Sequence, residues 1–130
     1  MASTSPQNLK YTKTHEWVLL DGDVATIGVT DHAQQELGDI TYLELPEEGD
    51  AISAGETFGV IESVKAASDV YSPVDGEVVE RNNDAVDAPD VINSSPYEGA
   101  WLIKVKVADP TQVEALMDAP AYDEFAGDAH

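Results

Sequence analysis

Lys65 is the residue of this chain best suited to carry a covalent group. It is the only lysine between Lys13 and Lys104, and the small residues Ser63, Ala66 and Ala67 flank it. A modifying enzyme needs an exposed amine in a reproducible place, and a long swinging cofactor needs a rigid post. A lone lysine on a turn is ordinarily a solvated charge; its scarcity and context argue for more. Other constellations offer less. His32 and Glu36 stand at i, i+4 and supply two of the ligands a metal needs, with no third in the pattern. His15-Glu16 opens no HExxH motif, because Leu19 takes the last position, and no glycine-rich phosphate loop occurs. Trp17 and Trp101 read as core or cleft wall, not as stacking platforms. The chain has no cysteine, which removes thiol nucleophiles, thiolate metal sites and relays of protein sulfur. Any redox work must come from an attached group.

The charge balance narrows the partners. Twenty-six acidic residues against six basic ones give a net charge of −20. Nucleic acid is excluded, since phosphate binding needs a basic face. With 42% apolar residues the chain can still build a core. Such a surface suits molar internal salt, where the screening length falls to about 3 Å from about 8 Å. The reading is a salt-accumulating halophile, with a generally acidic mesophilic protein as the plainer alternative. No stretch is long and apolar enough for a membrane span, and MASTSPQNLK lacks both the apolar core of a signal peptide and the arginines of a transit peptide. The expected compartment is the cytoplasm.

The elements that must hold Lys65 are mainly β. Residues 16–29 read as a hairpin turning at Asp21-Gly22-Asp23. A helix of about two turns follows, capped by Thr30 or Asp31, with Gln34 able to complete a capping box from Asp31 and Gly38 closing the end. DITYLELP is a strand stopped by Pro46, and residues 50–81 read as short β segments. Residues 83–93 read as a turn or one short helical piece. Residues 101–107 alternate as a strand, with Leu102, Lys104 and Lys106 on one face and Trp101, Ile103, Val105 and Val107 on the other. Pro110 starts a C-terminal helix in which Val113, Leu116 and Met117 share a side. Pro46-Glu47-Glu48-Gly49-Asp50-Ala51-Ile52 and Pro73-Val74-Asp75-Gly76-Glu77-Val78-Val79 repeat one pattern 27 residues apart. The repeat predicts two similar halves related by an approximate two-fold, with Lys65 at the tip of a hairpin joining them. The whole is one domain, with residues 1–8 an N-terminal segment and 110–130 a C-terminal helical segment.

Glu62-Ser63-Val64-Lys65-Ala66, followed by Ser68-Asp69-Val70-Tyr71-Ser72-Pro73-Val74-Asp75-Gly76-Glu77-Val78, resembles the lipoylation region of the glycine cleavage H proteins. The resemblance continues through Tyr11, His15-Glu16-Trp17-Val18, Val24 to Gln34, Gly38-Asp39-Ile40, Asn93 to Glu98 and Trp101 to Lys104, and spans about residues 9–125. Biotin carriers and the lipoyl domains of 2-oxoacid dehydrogenases share the hairpin, but the first place methionines around the lysine and the second an acid before it, where this chain has Val64. One departure is Gly99-Ala100, where the family usually has a second glycine; a slightly altered turn is expected there.

The resemblance implies a barrel-sandwich hybrid, the β sandwich of lipoyl and biotinyl domains, with short helices and a C-terminal helix. It implies lipoic acid in amide linkage to Lys65 and a shuttle, not an enzyme. The glycine decarboxylase (P protein) would load an aminomethyl group onto the arm, the aminomethyltransferase (T protein) would remove it, and dihydrolipoamide dehydrogenase (L protein) would reoxidise the dithiol; a lipoate-attaching enzyme would install the arm. The resemblance also implies that Glu16, Asp69 and Thr14 line a cleft that shelters the loaded arm, where carboxylates would hold its ammonium. It implies no metal. A lipoate relay that passes its lipoyl group onward needs the same lysine, and an unmodified acidic interaction domain would need none.

Overall fold

The computed structural model describes residues 9–97 and 99–128. Residues 1–8, the expected N-terminal segment, lie outside that range. Asp21-Gly22-Asp23 turns the chain between β2 (Glu16–Asp21) and β3 (Val24–Val29), which pair in register from Glu16↔Val29 to Asp21↔Val24. β1 (Lys10–Tyr11) joins one side of this pair. On the other side come β9 (Ile103–Val107), β8 (Gly76–Arg81) and β5 (Ala51–Ile52), giving a six-stranded sheet in the order β1-β2-β3-β9-β8-β5. A second sheet of three strands has the order β4-β6-β7, from β4 (Ile40–Glu44), β6 (Thr57–Ser63) and β7 (Ala67–Tyr71).

The two sheets face each other across one core. Ile27, Leu102, Ile103 and Val105 from the large sheet's side meet Leu43, Ile61 and Val70 of the small one, each nearly or fully withdrawn from water. Burial of each such side chain contributes roughly 1.5–3 kcal/mol. A smaller cluster of Leu9, Tyr11, Trp17, Ala119 and Tyr122 closes one end. This two-sheet sandwich with short helices is the expected barrel-sandwich arrangement.

The sequence repeat pairs with itself. Ala51 faces Glu77 and Ile52 faces Gly76 in antiparallel register, and the Val78 N–H donates to the Asp50 carbonyl at 2.9 Å. Those pairings interchange under the 27-residue offset, so a local two-fold passes between the copies. The equivalent glycines nevertheless meet different needs. Gly49 has φ 94°, which favours glycine, whereas a Cβ on Gly76 would sit 2.4 Å from the Lys106 carbonyl oxygen.

Three local expectations are corrected. Residues 83–93 hold two short helices, α2 (Asn83–Asp87) and α3 (Val91–Ser94), because the Asn82 side chain caps the first and Pro89 interrupts the pair. The strand at 101–107 begins only at Ile103; Leu102 is buried, not grouped with the lysines, and its N–H donates to the Ile27 carbonyl at 2.8 Å. The helix after Pro110, α4 (Thr111–Glu114), ends before Met117, which exchanges backbone hydrogen bonds with Tyr11 at 2.8 and 3.0 Å. Helix α5 (Ala119–Asp128) follows it.

Candidate functional site

The β6-β7 hairpin carries Lys65 at its tip. The Ser63 N–H donates to the Ala66 carbonyl at 2.7 Å, closing a four-residue turn, and the Ser63 hydroxyl donates to that same carbonyl at 3.1 Å. Ser63 Oγ also accepts from the Ala66 N–H at 3.1 Å, so the serine braces the turn from within. A third tie comes from outside the hairpin: the Val64 N–H donates to the Asp39 carbonyl at 3.1 Å. The Lys65 side chain is exposed, and no ion pair to it occurs among the described residues.

The ground under the lysine stem is also fixed. Thr30 caps α1 (Asp31–Leu37), its hydroxyl accepting from the Ala33 N–H at 3.2 Å, and Gly38 ends the helix at φ 78°. Asp31 is therefore not the cap; the Gln34 amide donates to its carboxylate at 2.7 Å instead. A Cβ on Gly38 would stand 3.5 Å from the Lys65 Cε, so the stem passes over this bare position. Asn93 holds the same segment with three bonds: it accepts from the Ile40 N–H at 2.9 Å and donates to the Gly38 carbonyl at 2.8 Å and to Gln34 at 3.0 Å. Sequence reading gave Asn93 no role. Its signal is an asparagine, able to donate and accept at once, but its partners lie more than fifty residues away.

Outward side chains of β7 run from the tip toward a cleft. Ala67 and Asp69 are exposed and Tyr71 is half-buried on one face, while Val70 points inward. The cleft, about 360 Å³, is lined by Thr12, Thr14, Glu16, Gly55, Tyr71, Ser72 and Pro73. Thr14 and Glu16 both line it. Asp69 is not among the lining residues; it lies along the approach.

Glu16 is no ordinary surface acid, since only 1% of it is exposed. Its Oε1 accepts from the Thr12 hydroxyl at 2.6 Å and from the Thr14 hydroxyl, and its Oε2 accepts from the Tyr71 N–H at 3.2 Å. Burial pushes its carboxyl above the usual range, opposed by these bonds. Thr12, which sequence reading passed over, is the second hydroxyl at this carboxylate.

Behind this turn lies an aromatic brace. His15 adopts φ 71°, the left-handed region that few non-glycine residues enter. Its Nδ1 shares a hydrogen bond of 2.7 Å with the Tyr122 hydroxyl, which also bonds Thr30 Oγ1 at 2.7 Å. The His32 ring lies 4.4 Å from the His15 ring, centroid to centroid. Burial, then the charge of His32, lowers the His15 pKa, with Glu36 acting in opposition. His32 and Glu36 join no group of three or more metal-ligating side chains among the described residues. Trp17 is core, its Nε1–H donating to the Pro96 carbonyl at 2.9 Å, and Trp101 is partly covered by Lys104, whose ammonium stands 5.0 Å from the ring centroid. Ala100, at the departure noted above, is fully buried, and its N–H donates to the Ser95 carbonyl at 3.0 Å.

A barrel-sandwich domain that presents one lysine on a braced hairpin has the form of the lipoyl and biotinyl carriers. Comparison with known proteins agrees. The family model for the glycine cleavage H-protein matches residues 9–129. A glycine cleavage system H protein of Chromohalobacter salexigens is 57% identical over 119 residues, covering 91% of each chain. That of Phenylobacterium zucineum is 54% identical over 121 residues, covering 93% of this chain and all of the other. The crystal structure of a glycine cleavage system H protein from Mycobacterium marinum superposes with a TM-score of 0.84 at 37% identity, covering 96% of this chain and 98% of that one. The chain belongs to the glycine cleavage H-protein family. It is accordingly a carrier component of the glycine cleavage system and not a catalyst in itself, in a family whose members carry lipoate. No helix among the described residues is long and apolar enough to cross a membrane.

Proposed function

We propose that Lys65 bears the lipoyl group in amide linkage and that the chain carries an aminomethyl unit from the P protein to the T protein, with the L protein reoxidising the arm. The observation that carries this reading is the hairpin tip, where an exposed amine stands on a turn tied at Ser63, Val64 and Ala66. The residues present fit the group: the stem lies over Gly38, and Ala67 offers only a methyl group along the way to Asp69. When bound, the lipoyl group supplies a disulfide that takes up a one-carbon unit reductively and a dithiol to be reoxidised.

The rest of the work falls to the protein. Lysine stem and lipoyl chain together reach roughly 14 Å from about ten foreshortened bonds. Asp69, four residues along β7, lies at most about 13 Å from Lys65 by chain path, and Tyr71 at most about 20 Å. Asp69 is therefore within reach as an acceptor for an ammonium, while Thr14 and Glu16 form the far wall. There Glu16 holds the Thr12 and Thr14 hydroxyls and the Tyr71 amide in place.

The test is Lys65→Arg in a reconstituted glycine cleavage assay. Arginine keeps the charge but its guanidinium is not acylated. The expected result is a folded protein with no turnover; turnover at the wild-type rate would refute the reading.

A further inference from the structure

The small sheet and its hairpin turn present two large apolar side chains that water touches freely, Tyr42 on β4 at 48% and Val64 in the turn at 69% exposure. Val64 immediately precedes Lys65, and Tyr42 lies on the strand paired with β6, which leads to it. Tyr42 stands opposite Glu62 in the β4-β6 register, and Val64, two residues beyond Glu62, opens the turn at the end of β6, where its N–H bonds the Asp39 carbonyl just ahead of β4 at 3.1 Å. Three exposed carboxylates border them: Glu62 between the two, and Glu44 and Asp69 flanking Val60 in the next row. Aromatic and aliphatic side chains inside an acidic rim match a protein surface with an apolar pocket and a basic border. A second copy of this chain would bring the same carboxylates face to face, which charge disfavours.

The length of the lysine decides which protein must sit here. A partner that receives the loaded arm works about 14 Å from the post, but an enzyme that acylates the amine works at the end of a stem of roughly 6 Å. It must enclose the hairpin tip and rest on the residues next to it. We propose that the β4-β6 face centred on Tyr42 and Val64 is the docking surface for the acyl-transferring enzyme that modifies Lys65. This inference rests on Lys65 being the attachment point. In the step it serves, the neutral Nζ attacks the carbonyl carbon of an enzyme-held lipoyl acyl phosphate anhydride. A C–N bond forms, the C–O bond to phosphate breaks, the phosphate ester leaves with the electron pair, and one proton passes from nitrogen to solvent.

The experiment compares wild type, Tyr42→Ala, Val64→Ser and, as a control, Val79→Ser, which alters a residue 42% exposed on β8. Each full-length chain is incubated with a lipoate–protein ligase, lipoate and ATP, and modification is followed by intact mass with site mapping. Melting curves establish folding beforehand; should Tyr42→Ala melt early, Val64→Ser on the hairpin tip decides alone. The expected outcome is at least a tenfold loss in kcat/KM for both face variants, carried by KM, with Val79→Ser unchanged. Equal rates in all four proteins, or equal loss in the control, would overturn the docking surface while leaving Lys65 as the attachment point. Wild type left unmodified at Lys65 would overturn the attachment itself. Self-association of the wild type, lost in both face variants, would assign the face to a second copy and also overturn the proposal.

Discussion

Glu16 accepts the Tyr71 N–H at 3.2 Å through its Oε2. This single bond joins β2 of the large sheet to β7, the strand that leaves the lysine hairpin, and the carboxylate that makes it is buried. Removing the side chain leaves the Thr12 and Thr14 hydroxyls and a backbone N–H without their acceptor. Glu16→Ala is expected to cost about 1–3 kcal/mol, and Glu16→Gln about 1 kcal/mol or less, because the threonine hydroxyls can rotate to accept from the amide. Thermal melting checks the order.

The same carboxylate gives a pH signature. Burial holds its pKa above the ordinary glutamate value, so just above that value the folded chain binds more protons than the unfolded one. Stability from this group is then present at low pH and lost as pH rises through the raised pKa. The difference in stability between wild type and Glu16→Gln, followed by denaturant unfolding across that window, should shift against the wild type as pH rises. A flat difference would contradict it.

His15 titrates with the opposite sense. One proton arrangement satisfies every group in its brace: Ala33 N–H to Thr30 Oγ1, Thr30 O–H to the Tyr122 oxygen, and Tyr122 O–H to His15 Nδ1. A proton on Nδ1 would reverse the chain and strand the Thr30 hydrogen in a buried place. The folded pKa is lowered, so the unfolded chain binds more protons between it and the ordinary value of 6.5, and stability falls as pH drops through that window. In His15→Asn, whose side chain tolerates the left-handed backbone, this component should be absent from the pH profile of melting.

Asp69 is exposed, which limits what it can contribute to sheltering the arm. Asp69→Asn, lipoylated to completion beforehand, should shorten the life of the loaded arm by about two- to fivefold, as fits a solvent-screened ion pair. Formaldehyde and ammonia appearing in the absence of the T protein are the readout. Equal decay in both proteins would remove Asp69 from the cleft.

The surface charge predicts a response to salt. The chain carries a net charge of −20, and among the described residues one ion pair occurs, Lys104 to Glu80 at 3.8 Å. Repulsion is screened within about 3 Å at 1 M salt but extends about 30 Å at 0.01 M. The melting temperature should rise by several degrees from millimolar to molar potassium chloride, and no change would refute the argument.

Local chemistry made much of this legible in advance. Asp21-Gly22-Asp23 turns a hairpin, Thr30 and Gly38 bound a helix, and Lys65 stands out by scarcity, all within a few residues of chain. The parts that escaped depend on distant partners. Glu16 is one acid among 26 until Tyr71, 55 residues on, supplies its amide. Met117 leaves its helical pattern because Tyr11 offers a strand edge, and α5, which falls in the expected C-terminal helical segment, takes its place through the bonds of Tyr122 to His15 and Thr30, which no local pattern announces.

The central claim is that Lys65 carries the lipoyl group in the cell. Intact-mass measurement of the chain purified from its native cell, followed by peptide mapping, tests this most directly. The predicted result is one lipoyl amide, on Lys65. An unmodified chain, or the adduct on Lys10, Lys13, Lys104 or Lys106, would contradict it.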